Sequence, residues 1–223
     1  MVLFKVNGER NSGTNFLLNI LKTNNFPAIA DKEVNFIMYY WKHGVPTPYF
    51  KTLDERVIDI FIFRDLESWL VSMFHNPYEL STNFGNFEQF LTTKLVPDTR
   101  LRKSNGTILN EDDRNKTIFD VRYHKFKKII NYKNTQRDVI FVNMSFIQNE
   151  TYLRRFLQTL HYKYLPIPIP ITDYILSIPH TKNGSENKNR SYTEDINKYK
   201  NLISKHRDDD IESFIDSLTF SFH

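Results

Sequence analysis

Val2-Leu3-Phe4-Lys5-Val6-Asn7-Gly8-Glu9-Arg10-Asn11-Ser12-Gly13-Thr14-Asn15-Phe16-Leu17 opens the chain, with Ile20 and Leu21 following. The apolar run Val2–Val6 predicts a buried strand, and the apolar spacing over Thr14–Lys22 predicts the helix it feeds. Between them lies a turn bounded by Gly8 and Gly13. A turn of this kind lets successive backbone N–H groups converge on phosphate oxygens. The positive N-terminal end of the helix adds to the attraction.

Working outward, Val57–Phe63 (VIDIFIF) mixes β-branched and aromatic residues and is almost continuously apolar, as a strand buried on both faces should be. It ends at Arg64-Asp65, and Leu66–Phe74 predicts the next helix. Asn35–Trp41 predicts another strand, ending at Lys42-His43-Gly44, and Val139–Val142 a fourth. Helices are predicted over Phe87–Leu95, Ile118–Tyr132, Tyr152–Leu160, Glu194–His206 and Asp209–Leu218. Ile118–Tyr132 carries a basic face of Arg122, Lys125, Lys127 and Lys128. Pro97–Asp113 and His180–Ser191 predict loops, and the alternating prolines of Leu165–Pro170 demand extended chain. Strands alternating with helices predict an α/β fold: a three-layer sandwich around a central, mostly parallel sheet, P-loop-like, in one domain over residues 1–223. Ligands of such folds sit at the carboxyl ends of the strands, where both Gly8–Gly13 and Arg64 fall.

The chain has 223 residues, enough to bury a substantial core, and 40% of them are hydrophobic. Its net charge of +4 comes from scattered Lys and Arg, which calls for no nucleic-acid partner. The absence of cysteine excludes disulfides and thiolate metal sites and fits a reducing compartment. A first strand at Val2 leaves no room for a signal peptide, and no apolar run has membrane-spanning length. The expectation is a cytoplasmic protein.

Four residues separate Gly8 from Gly13, the spacing of a Walker A loop. That motif continues with Lys and Ser/Thr, which serve the β- and γ-phosphates and Mg²⁺. Thr14 and Asn15 occupy those places, which argues against a nucleoside triphosphate and against a P-loop kinase of small metabolites.

Here the chain resembles the sulfotransferases that use 3′-phosphoadenosine-5′-phosphosulfate (PAPS). Their first loop reads Pro-Lys-Ser-Gly-Thr-Thr-Trp after a strand, and Arg10–Phe16 lies over it, with Ser12, Gly13 and Thr14 matching outright. The resemblance implies that these residues and Asn15 hold the 5′-phosphosulfate and that Phe16 stacks on the adenine. A second family motif is an Arg at a strand end and a Ser eight residues on; Arg64 and Ser72 fit it. The resemblance gives them the 3′-phosphate, and a guanidinium fork suits that group. A third match is Lys42-His43-Gly44-Val45-Pro46, similar to the family's Lys-Thr-His-Leu-Pro, whose His is the general base. A fourth is the loop His180–Gly184, which offers Lys182 to the 3′-phosphate, with Lys188 and Arg190 as alternatives.

One position departs from the pattern. The family's cation before Ser-Gly-Thr, which stabilises the leaving oxygen, is replaced by Asn11. Arg10, Asn11 itself or Lys42 is left to meet that need, which in such transfers is the largest catalytic term. The resemblance thus implies a sulfotransferase with PAPS as donor, no metal, and a hydroxyl or amine acceptor on a small molecule or glycan. A nucleotide-binding module that has lost catalysis is the alternative left open by Asn11. Acceptor and oligomeric state are unreadable.

Overall fold

The computed structural model describes residues 2–29, 56–77, 84–95, 115–135, 138–166, 175–176 and 193–218. Among the described residues four parallel strands form the sheet: β1 (Val2–Gly8), β2 (Ala28–Ile29), β3 (Arg56–Phe63) and β4 (Val139–Asn143), in the order β2-β1-β3-β4. Eight helices accompany them among the described residues: α1 (Thr14–Thr23), α2 (Leu66–His75), α3 (Phe87–Thr92), α4 (Ile118–Thr135), α5 (Met144–Ile147), α6 (Glu150–Tyr164), α7 (Thr193–Ser204) and α8 (Asp209–Ser217). None of them is long and apolar enough to cross a membrane.

Strand alternation sorts side chains onto two faces. Phe4, Val6, Ile58, Ile60, Ile62, Ile140 and Val142 face α1 and α6, whose Leu17, Ile20, Leu21, Phe156, Leu157 and Leu160 complete that core. Phe61, Phe63 and Phe141 face the other way, against Phe126, Ile129 and Tyr132 of α4 and Ile215 of α8. Helices thus cover both faces, which is why VIDIFIF is apolar at nearly every position. A further cluster packs α2, α3, the start of α4 and α7 together, with Phe87 and Tyr199 stacked at 4.0 Å between ring centroids.

The strand order positions the site. β1 has β2 on one side and β3 on the other, paired from Val2↔Arg56 to Gly8↔Ile62. The chain therefore leaves β1 toward one flank of the sheet and reappears on the other. Such a reversal opens a crevice at the carboxyl ends of the two strands. The loop 9–13 and Arg64 both follow those strand ends.

β2 and α5 were not anticipated, being only two and four residues long. The basic face of α4 is not all solvent-facing, because Arg122 and Lys125 are buried. The predicted strand Asn35–Trp41 and the loops Pro97–Asp113 and His180–Ser191 lie outside the described residues.

Candidate functional site

Gly8 ends β1 so close to β3 that a Cβ there would overlap the Ile62 carbonyl oxygen. The chain then turns sharply: the Ser12 amide and hydroxyl both donate to the Glu9 carbonyl oxygen, at 3.3 and 2.6 Å. Asn11 (φ 57°) and Gly13 (φ 97°) take left-handed conformations, which Asn tolerates and Gly adopts freely. Gly13 is the N-cap of α1 and presses on Met144 of α5; a Cβ would lie 2.5 Å from the Met144 sulfur.

α1 begins with no side-chain cap and no acidic residue in its first turn. The first-turn amides of a helix have no intrahelical acceptor, and a side chain, water or ligand must serve them. At six other helices a side chain does so. Asp65 caps α2, Asn86 caps α3, Asn143 caps α5, Asn149 caps α6 and Asp208 caps α8. Thr117 and Asp120 form a reciprocal capping box at α4, the Thr117 amide donating at 2.9 Å and the Asp120 amide at 3.3 Å.

The expected site residues fall as follows. Ser12, Gly13, Thr14, Asn15 and Phe16 form the turn and the start of α1, with Ser12 and Thr14 buried and Asn15 exposed. The Ser12 hydroxyl hydrogen is directed at Glu9, inside the turn. Phe16 is half-buried and packs on the core shared by α1 and α6. Arg64 is half-buried at the end of β3, and Ser72 is buried within α2. Asn11 and Ser72 do come together, although through the backbone. The Asn11 amide donates to the carbonyl oxygens of Ser72 and Asn76, both at 3.2 Å, and so closes the C-terminal end of α2. Its hydrogens therefore point at α2. His43 and Lys182, with Lys42, Lys188 and Arg190, lie outside the described residues.

Beneath the turn runs a buried polar network that the sequence reading did not single out. Arg122 of α4 donates to Glu212 of α8 from Nε (3.0 Å) and Nη2 (3.2 Å), to the Arg64 carbonyl oxygen from Nη2 (3.0 Å), and to Glu9 from Nη1. Its guanidinium lies 5.0 Å from the ring centroids of both Trp69 and Phe126. Lys125 Nζ donates to the Gly8 carbonyl oxygen (3.3 Å), and Trp69 Nε1 to that of Arg10 (2.9 Å). Further down the same sheet face, Asn7 Nδ2 donates to Asp59 (2.8 Å), which also accepts from the Tyr132 hydroxyl (2.8 Å), and Lys5 donates to Asn7 (2.7 Å). The available signal was the alternation Lys5, Asn7, Glu9, with Asp59 inside an otherwise apolar strand. Polar residues at period two in a buried strand must meet partners.

Burial pushes the Glu9 carboxyl above its usual range, with Arg122 and then Lys125 pulling it back. Burial opposes the charge on Arg122, but Glu9 and Glu212 outweigh it and hold the guanidinium protonated. Glu9, Arg10, Trp69, Met73, Arg122 and Lys125 are among the residues lining a cavity of about 10 Å³, the smallest size that admits one water. Glu9 Oε1 has no hydrogen-bond partner among the described residues. No group of three or more His, Asp or Glu among those residues is arranged to hold a metal ion.

Comparison with models of known protein families, with curated proteins and with solved structures finds no match.

Proposed function

We propose that the chain is a PAPS-dependent sulfotransferase. The observation that supports it best is the start of α1: a glycine-capped, acid-free helix N-terminus at the crevice where β1 and β3 end. The positive end of such a helix, with no carboxylate beside it, favours a dianionic group. In this reading the amides of α1, the Thr14 hydroxyl and the Ser12–Gly13 turn hold the phosphosulfate, and Phe16 flanks the adenine. Arg64, Ser72 and Lys182 serve the 3′-phosphate. His43 takes the proton of the acceptor hydroxyl as its oxygen bonds to sulfur. The bond from sulfur to the bridging oxygen breaks, and the electron pair stays on the departing phosphate. Asn11 is engaged with α2, so the charge that stabilises this oxygen is left to Arg10 or Lys42.

The same Asn11 geometry favours a second reading, a module that binds the nucleotide and transfers nothing. One experiment separates the cases. Thermal stabilisation by 3′-phosphoadenosine-5′-phosphate without magnesium supports nucleotide binding of the proposed kind; stabilisation by ATP only with magnesium overturns it in favour of a kinase. Transfer of labelled sulfate from PAPS to a panel of hydroxyl and amine acceptors then establishes the enzyme. Binding with no transfer to any acceptor establishes the module.

A further inference from the structure

Three consecutive residues of the turn are held from below. Lys125 binds the carbonyl oxygen of Gly8, Arg122 binds the carboxylate of Glu9, and Trp69 binds the carbonyl oxygen of Arg10. Arg122 is common to these anchors, since Trp69 stacks over its guanidinium and Lys125 lies on the same helix. The same guanidinium binds the carbonyl oxygen of Arg64, just past the end of β3. Its bonds to Glu212 root it in α8.

We propose that Arg122 is a positioning residue that sets the spacing between the turn after β1 and the end of β3, and with it the selectivity for a nucleotide bearing two anionic groups over one bearing a single group. This rests on the nucleotide reading given above. In that reading the turn holds the 5′ group and Arg64 the 3′-phosphate, so their separation must match that of the two groups on one ribose. Neighbouring strands fix the base of this spacing at about 5 Å. Beyond the last strand pair, Gly8↔Ile62, no ladder continues it. Arg122 takes over at that point, with one rigid planar group touching both chains. A lysine could reach only one of them at a time. A buried ion network is a poor means of gaining stability, because an apolar cluster of similar volume avoids the desolvation. Its benefit here is geometric.

The test compares Arg122→Lys with the wild-type chain by calorimetric titration of 3′-phosphoadenosine-5′-phosphate and of adenosine 5′-phosphate. The expected result is that the wild-type preference for the bisphosphate falls by about tenfold or more, as misplacement of a binding group commonly costs, while affinity for the monophosphate changes little. Glu212→Gln, which leaves Arg122 on Glu9 and Arg64 but loosens its root, lowers the preference by a smaller factor and decides the matter if Arg122→Lys does not fold. Arg56→Ala is the control. It removes the exposed ion pair with Asp138 at the opposite end of β3 and leaves the preference unchanged. A preference retained in both network variants, or lowered equally in the control, overturns the positioning role. A wild-type chain with no preference for the bisphosphate overturns the nucleotide reading itself, and the inference with it.

Discussion

Two helices begin at the same edge of the sheet, and they begin differently. α2 follows β3 through Asp65, whose carboxylate accepts from the Ser68 amide at 3.3 Å, with Glu67 in its first turn. α1 follows β1 through Gly13, with no side-chain cap and no acid. Both helices present a partial positive charge. α2 meets its own with a carboxylate, whereas α1 has no side-chain cap. The difference is built into the backbone, because the left-handed Gly13 and the contact with Met144 admit no side chain that could fold back as a cap. Under the proposed function the two helices do different work: α1 receives an anion, whereas α2 begins just after Arg64 and packs against α7.

Gly13→Ala attacks the contrast most directly. A methyl group at φ 97° and 2.5 Å from the Met144 sulfur is expected to cost about 2 kcal/mol of folding stability, measured by denaturant unfolding. Nucleotide affinity should drop by about a hundredfold, as the first-turn amides lose their direction. Unchanged affinity would remove α1 as the anion site. Arg64→Ala comes next. Loss of a charged fork is expected to weaken 3′-phosphoadenosine-5′-phosphate by about 2 kcal/mol while adenosine 5′-phosphate binds as before; equal weakening of both would dissociate Arg64 from the 3′ group. Asp65→Ala probes the other helix. It should lower stability by about 1 kcal/mol, the usual value of an N-cap, with no loss of nucleotide affinity. The smallest effect is expected from Asn15→Asp, which gives α1 the first-turn acid that α2 already has. Stability should rise by about 0.5 kcal/mol while nucleotide affinity falls a few-fold. A rise in both would mean that the α1 terminus repels no added charge and receives no anion.

Much of the fold was legible because its signals are local. The strand read as Val57–Phe63 spans Arg56–Phe63, the helix read as Leu66–Phe74 spans Leu66–His75, and the strand read as Val139–Val142 ends one residue later. Each is long enough for periodicity to show. The two-residue β2 and four-residue α5 are too short for any period. Within the candidate site, the turn and Arg64 could be placed at one edge because each follows a strand of a parallel sheet. The destination of Asn11 could not, because its acceptors lie 61 and 65 residues away in sequence. The basic face of α4 illustrates the same limit. Helical spacing groups Arg122 with Lys125, but their burial follows from Glu9 and Glu212, 113 and 90 residues distant from Arg122.

The amino-acid sequence by itself determined the alternation of strand and helix, the parallel sheet and the glycine-bounded turn after β1, since each depends on the period of apolar residues and on residues free to take unusual backbone angles. Only the tertiary structure decided which charges are buried and where they point. Arg122 became a buried brace and Asn11 a cap for α2, because a charge or an amide in the interior is directed by the partners that the fold brings to it.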